Sequence, residues 1–253
     1  TPPPLMIWLG LNLRHPILSK LEVREALSYA IDREQINMLV YGGAHVPART
    51  SYLSTSRAWN PDAIQPLYDV DKANQLLDEA GYPRDGNGTR FSIRYTGFNA
   101  GTGGAKEIGE VLRQQFADVG IDLQLEQYDF SIFADKILKQ HDFDITWSAG
   151  PHGPDPQAFA AFVASDGRRN CMGYDNPKVD ELFAEAKSSE SDAKAVQKYQ
   201  EIQAIIAEDL PRISILEWRR PVVYRSEYAN FWWMEGFDQT PNDSYENVKK
   251  VES

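Results

Sequence analysis

The sequence predicts an α/β fold built on a mixed, mainly parallel sheet flanked by helices. Three observations in the middle third carry this. Phe91, Ile93 and Tyr95 alternate with polar residues, the period of a strand. Ile108, Val111, Leu112, Phe116 and Val119 then recur at helical spacing up to Gly120. Ile121, Leu123 and Leu125 alternate again, and a strand, helix and strand with short links make neighbouring strands parallel.

The elements follow in order. Ser19-Lys20-Leu21-Glu22 reads as a capping box that opens a helix through Ala30, with Leu21, Leu27 and Ile31 on one side. Asp32 and Gln35 repeat the device for a helix through Val40, closed by Gly42-Gly43. Residues 45–66, with their prolines, serines and arginines, read as an extended loop. A short helix over 71–80 carries Ala73, Leu76 and Leu77, and Gly81 with Pro83 ends it. Gly101 to Gly104 is expected to be a hinge loop, without the lysine and spacing of a phosphate loop. After Leu125 a helix over 131–139 and a strand over 143–148 repeat the unit. Helices are expected over 157–164, 177–187 (Asn176 as cap, Pro177 in the first turn) and 192–208. Strands are expected over 212–218 and 221–224.

Composition narrows the function. Of 253 residues, 26 are Lys or Arg and 37 Asp or Glu, a net charge of −11 that disfavours nucleic acid and anionic membrane surfaces as partners. No apolar run approaches the roughly 18 residues of a membrane helix, so no direct insertion of this segment is expected. Cys171 is the single cysteine, which excludes an internal disulfide and a thiolate cluster. The four histidines, His15, His45, His141 and His152, lack ligand spacing, so neither metal nor cofactor is expected. No nucleophile-elbow, zinc-protease or nucleotide motif is present. Asp142 and Asp144 share a strand face and form the nearest thing to a catalytic carboxylate pair, with loop-edge solvation the plainer account.

The segment Gly150-Pro151-His152-Gly153-Pro154-Asp155-Pro156 is different. Three prolines and two glycines fix its path just after a strand, where α/β proteins hold ligands. His152 and Asp155 are its polar groups and Trp147 the nearby aromatic. Asp155 serves equally as a helix N-cap, and Trp147 equally as core.

Several segments together resemble one family. Val23-Arg24-Glu25-Ala26-Leu27-Ser28-Tyr29-Ala30-Ile31-Asp32-Arg33 resembles the paired-helix motif of the peptide-, opine- and nickel-type ABC solute-binding proteins, family 5. Tyr68-Asp69-Val70-Asp71-Lys72-Ala73 with Leu76-Leu77 and Glu79-Ala80-Gly81-Tyr82 is similar to a second motif. Val119-Gly120-Ile121, Phe143-Asp144-Ile145, Asp155-Pro156, Asn170 with Gly173-Tyr174, Asn176-Pro177 with Val179-Asp180-Glu181-Leu182, and Glu208-Asp209 with Pro211 follow in order.

The resemblance implies a two-lobed, periplasmic-binding-protein-like clamp of type II kind, of which this chain is the second lobe. Residues 1–11 would then be a hinge or first-lobe remnant, 12–212 the lobe, and 213–253 return strands, with Leu5–Leu13 and Ile213–Trp218 as crossings. The Thr1-Pro2-Pro3-Pro4 start fits a missing first half. A binding protein rather than an enzyme is implied, periplasmic or extracellular and with or without a membrane tether. Its partners would be a small solute or peptide and the permease subunits of an ABC importer. Dipeptide-type members place an Asp three residues before the Asp-Pro pair and an Arg upstream of the Val-Gly pair. This sequence has His152 and Asn99 there, so a sugar-like or opine-like solute is expected ahead of a dipeptide, with oligopeptides the alternative. Ligand-binding candidates are Asn99, Trp147, His152, Asp155, Asn170 and Tyr174, with no catalytic residue; a hydrolase using Asp142, Asp144 or Asp155 is the competing class.

Overall fold

The computed structural model describes residues 5–98, 104–150 and 155–219, with two short strands at Tyr228–Ala229 and Lys249–Lys250. Asn99, His152 and the strand expected over 221–224 lie outside the described residues.

Strand β1 (Leu5–Leu11) leads to helices α1 (Leu21–Tyr29) and α2 (Arg33–Tyr41), then to β2 (Val46–Pro47) and α3 (Val70–Glu79). Next come β3 (Phe91–Phe98), α4 (Ala105–Asp118), β4 (Ile121–Tyr128) and α5 (Phe130–Asp135), the last running into a π-helical turn, Lys136–Gln140. Strand β5 (Ile145–Gly150) precedes a 3-10 turn (Pro156–Phe159), α6 (Ala160–Val163), α7 (Pro177–Lys187), α8 (Asp192–Asp209) and β6 (Arg212–Trp218). The short strands Tyr228–Ala229 and Lys249–Lys250, β7 and β8, pair with each other.

Six strands form one mixed sheet in the order β2-β6-β1-β5-β3-β4. The expected parallel unit is β4-β3-β5, while β1 pairs antiparallel with both β5 and β6, and β2 with β6. The two supposed crossings, β1 and β6, therefore lie side by side inside the sheet, and Leu5–Leu11 is buried throughout. One face packs on α1 to α4, through residues such as Leu9, Leu27, Leu77, Leu112 and Ile213. The other packs on α6 to α8 around Trp8, Phe159, Leu182 and Ile206. A helix layer thus covers each face, as parallel strands buried on both sides require.

Local chemistry accounts for the element ends, with two departures from expectation. Asp32, Asp69, Asn176 and Ser191 each accept a backbone N–H of their helix's first turn. Ser19 does not: its hydroxyl donates to the Pro16 carbonyl, and Lys20 stands at the N-cap of α1 without a side-chain bond. The segment 45–66 is more than an exposed loop. Tyr52 is buried in the second core and donates to the Pro156 carbonyl at 2.9 Å, and Gln65 donates to the Arg212 carbonyl at 2.8 Å.

Candidate functional site

The parallel strands aim their carboxyl ends at one edge of the sheet, where β3 stops at Phe98, β4 at Tyr128 and β5 at Gly150. Register brings Met6 opposite Gly150 and Trp218 opposite Leu5, so both supposed crossings leave from this same edge. In α/β sheets this is where ligands settle, because side chains of several loops converge there.

The edge is aromatic. The Phe98 ring lies 5.4 Å from Phe130, 5.0 Å from Phe133 and 5.2 Å from Trp147, edge-on or tilted in each case. Phe130 and Ile132 on α5 remain 64% and 50% exposed, whereas Trp147 is 5% exposed. Trp147 is thus embedded in the larger core and closed off by Phe98, and its indole Nε1 has no hydrogen-bond partner among the described residues. Phe98, Phe130 and Phe133 escaped notice in the sequence because Phe98 ends an alternating strand and the other two read as an ordinary helix face. Their clustering at or soon after the ends of β3 and β4 was the available signal.

The other candidates have structural partners. Asp155 accepts from Gln157 N as cap of the 3-10 turn and sits 4.0 Å from Arg57. Asn170 spends both ends of its amide on a turn: Nδ2 donates to the Ala164 and Tyr174 carbonyls, and Oδ1 accepts from Tyr174 N. Gly173 takes positive φ inside that turn, and the Arg14 guanidinium packs where a Cβ would stand. Tyr174 is buried and donates its hydroxyl to Asp209.

Asp142 and Asp144 are claimed by cations rather than poised for acid–base work. Arg94 donates to Asp142 at 2.8 Å and to Asp144 at 3.0 Å, and Lys136 closes on Asp142. Lys136 and Arg94 hold the Asp142 carboxyl below the usual carboxylate range. Burial pushes the Cys171 thiol up to about 12, far from a reactive thiolate. Among the described residues no cluster of His, Cys, Asp and Glu is arranged to hold a metal, and no helix is long and apolar enough to cross a membrane.

Comparison with known proteins places this geometry. A Brucella ovis protein named for a resemblance to ABC transporter peptide-binding proteins is 28% identical over 235 residues, covering 89% of this chain and 44% of the relative. Heme-binding protein A of Haemophilus influenzae is 27% identical over 214 residues, 82% of this chain and 38% of that protein. The chain therefore spans less than half the length of these relatives. Among solved structures, the dipeptide binding protein of Pseudoalteromonas sp. SM9913 in complex with Met-Leu superposes with a TM-score of 0.83 at 24% identity, over 98% of this chain and 49% of that one. The family model for the middle part of the bacterial extracellular solute-binding proteins, family 5, matches residues 1–171. The chain belongs to that family.

Proposed function

We propose that this chain is one lobe of the solute-binding component of an ABC importer, and that the solute is a peptide held at the aromatic edge. The carrying observation is the wall formed by Phe98, Phe130, Phe133 and Trp147 at the carboxyl ends of β3, β4 and β5. A ligand side chain gains roughly 25 cal/mol for each Å² of apolar surface it buries there. Trp147, at 5% exposure, offers a sugar no open face, and the exposed Phe130 and Ile132 together present an apolar surface that suits peptide side chains better than a hydroxylated ring. The sugar-like or opine-like reading rests on Asn99 and His152, outside the described residues, so the wall tips the balance to the peptide. The two relatives are named for binding peptide and for binding heme, and neither for a sugar or an opine.

On this reading Trp147 backs Phe98 at the edge, and Asn99 and His152, which follow β3 and β5 closely in the chain, add polar groups. Asp155, Asn170 and Tyr174 hold the surrounding turns in shape. The other lobe closes over the solute because only the closed state touches it from both sides. The closed form then docks on permease subunits, outside the cytoplasm, and no chemistry is done on the solute; the engagement of Asp142 and Asp144 by Arg94 and Lys136 supports capture without turnover.

Mass spectrometry of solute co-purifying with the complete two-lobed protein tests this. Peptides retained by the protein and released on unfolding support the proposal. A retained sugar or opine with no peptide would overturn the ligand class, and hydrolysis of the bound solute would overturn the binding role.

A further inference from the structure

The edge holds a second feature, set one residue back from the aromatic wall. Gln127 of β4 is the register partner of Gly97 of β3. Thr96 pairs with Thr146, so the next step of the register sets Trp147 of β5 beside Gly97. The three positions continue the rows Leu123-Leu125, Ile93-Tyr95 and Ile145 on the face that packs against α4.

Gly97 gives this row its shape. A Cβ there would stand 2.8 Å from Gln127 Nε2 and 3.0 Å from Oε1, so the carboxamide lies flat across β3 in space that any other residue would take. Oε1 and Nε2 are both shielded from water and have no hydrogen-bond partner among the described residues, and the same holds for Trp147 Nε1. Three such atoms in one row are costly, because each buried orphan forfeits its hydration with no bond in return. A core needing only packing there would be served better by Leu, whereas a carboxamide supplies two donors and an acceptor in one plane.

An extended peptide matches that set. In extended chain the N–H and C=O of one residue point to the same side, which is how antiparallel partners exchange two bonds. A carboxamide can accept from the one and donate to the other. We propose that Gln127 is a specificity-determining residue that reads the main chain of an extended peptide at one residue. The inference rests on the peptide reading above and adds to it the group that recognises backbone rather than side chain.

The test uses the complete protein and a synthetic library of tri- to pentapeptides, from which the tightest binder is taken for calorimetry. Gln127→Leu is expected to weaken that peptide about tenfold, the worth of one net hydrogen bond, and to raise the Tm of the ligand-free protein by removing buried orphans. A scan of N-methylated versions of the peptide is expected to find one position whose methylation costs the wild type about tenfold and costs Gln127→Leu nothing further. Gly97→Ala, which displaces the carboxamide without removing it, is expected to weaken binding likewise and serves if Gln127→Leu does not fold. Unchanged affinity in these variants, or a lower Tm in Gln127→Leu with affinity intact, would overturn the inference while leaving the peptide reading standing. Failure of the wild type to bind any library member would overturn the peptide reading, and this inference with it.

Discussion

Asp209 ends α8, where a carboxylate meets the negative end of the helix dipole and needs donors around it. It has them: the Tyr174 hydroxyl and Asn176 Nδ2 (2.8 Å) bond its carboxylate, and the Arg24 guanidinium bonds its backbone carbonyl at 2.6 and 3.0 Å. Arg33 acts similarly elsewhere, donating to the Ser214 carbonyl at 2.7 Å from a fully buried position, where desolvation pushes it down to about 10. Arg24, Arg33, Tyr174, Asn176 and Asp209 all belong to the motifs that carried the family resemblance, so those motifs mark how the fold is stitched. Tyr174→Phe is accordingly expected to cost about 1.5 kcal/mol in denaturant unfolding, a bond to a charged acceptor, and to leave solute affinity unchanged. Acid should act through a different pair. Asp142 titrates below the ordinary carboxylate range when folded because Lys136 and Arg94 favour its ionised form. Its contribution is therefore complete above the unfolded value, about 3.9, and is lost as pH falls through the lower folded value. Asp142→Asn removes that dependence, so its unfolding midpoint should drop less than that of the wild type between pH 5 and pH 3. An equal drop in both would show that other carboxylates govern the acid limb. The site itself was less legible than the stitching. Trp147 stood out as an aromatic beside a proline-rich segment, whereas Gln127 and Gly97 look like any strand residues until register sets them face to face.

At the scale of elements, α7, α8 and β6 were predicted within a residue, because hydrophobic period and capping act locally. Alternation and helical spacing also located β3, α4 and β4, which extend past the residues that carried their pattern, to Phe98, back to Ala105 and to Tyr128. What the sequence concealed was pairing. Nothing in Leu5–Leu11 reveals that it sits between β5 and β6, since a strand buried on both faces carries no alternation. The Ser19 cap failed for a related reason: the hydroxyl found the Pro16 carbonyl, an alternative that a four-residue motif cannot exclude. The position of β1 bears directly on the boundary expected at residue 12. Removing residues 1–11 would leave the inner edges of β5 and β6 unpaired and take away Ile7, Leu9 and Leu11, each fully buried. A chain starting at Asn12 is therefore expected to lose its cooperative thermal transition by circular dichroism. A well-folded truncated protein would mean that β1 is dispensable to this lobe. Within the strand, Leu9→Ala should cost about 2–5 kcal/mol, as for other buried leucines cut back to alanine.

For the whole molecule, the decisive fact is that this chain spans 44% of a relative's length yet covers both faces of its own sheet with helices. Folding and solute capture should therefore come apart. Two closed cores supply what a domain needs to fold, whereas the aromatic edge, with Phe130 and Ile132 exposed, would on the proposed reading meet solute from one side only. In a clamp the closed state is selected by contacts from both lobes, and a single lobe keeps only its own share of them. If each lobe supplies even 3 kcal/mol of the contact energy, losing one weakens binding more than a hundredfold. The 253-residue chain alone is thus expected to unfold in one cooperative transition and to bind the selected peptide at least a hundredfold more weakly than the complete protein, by calorimetry on both. Equal affinity in the two would mean that this lobe holds the whole site, and closure would then have to serve release or docking rather than capture.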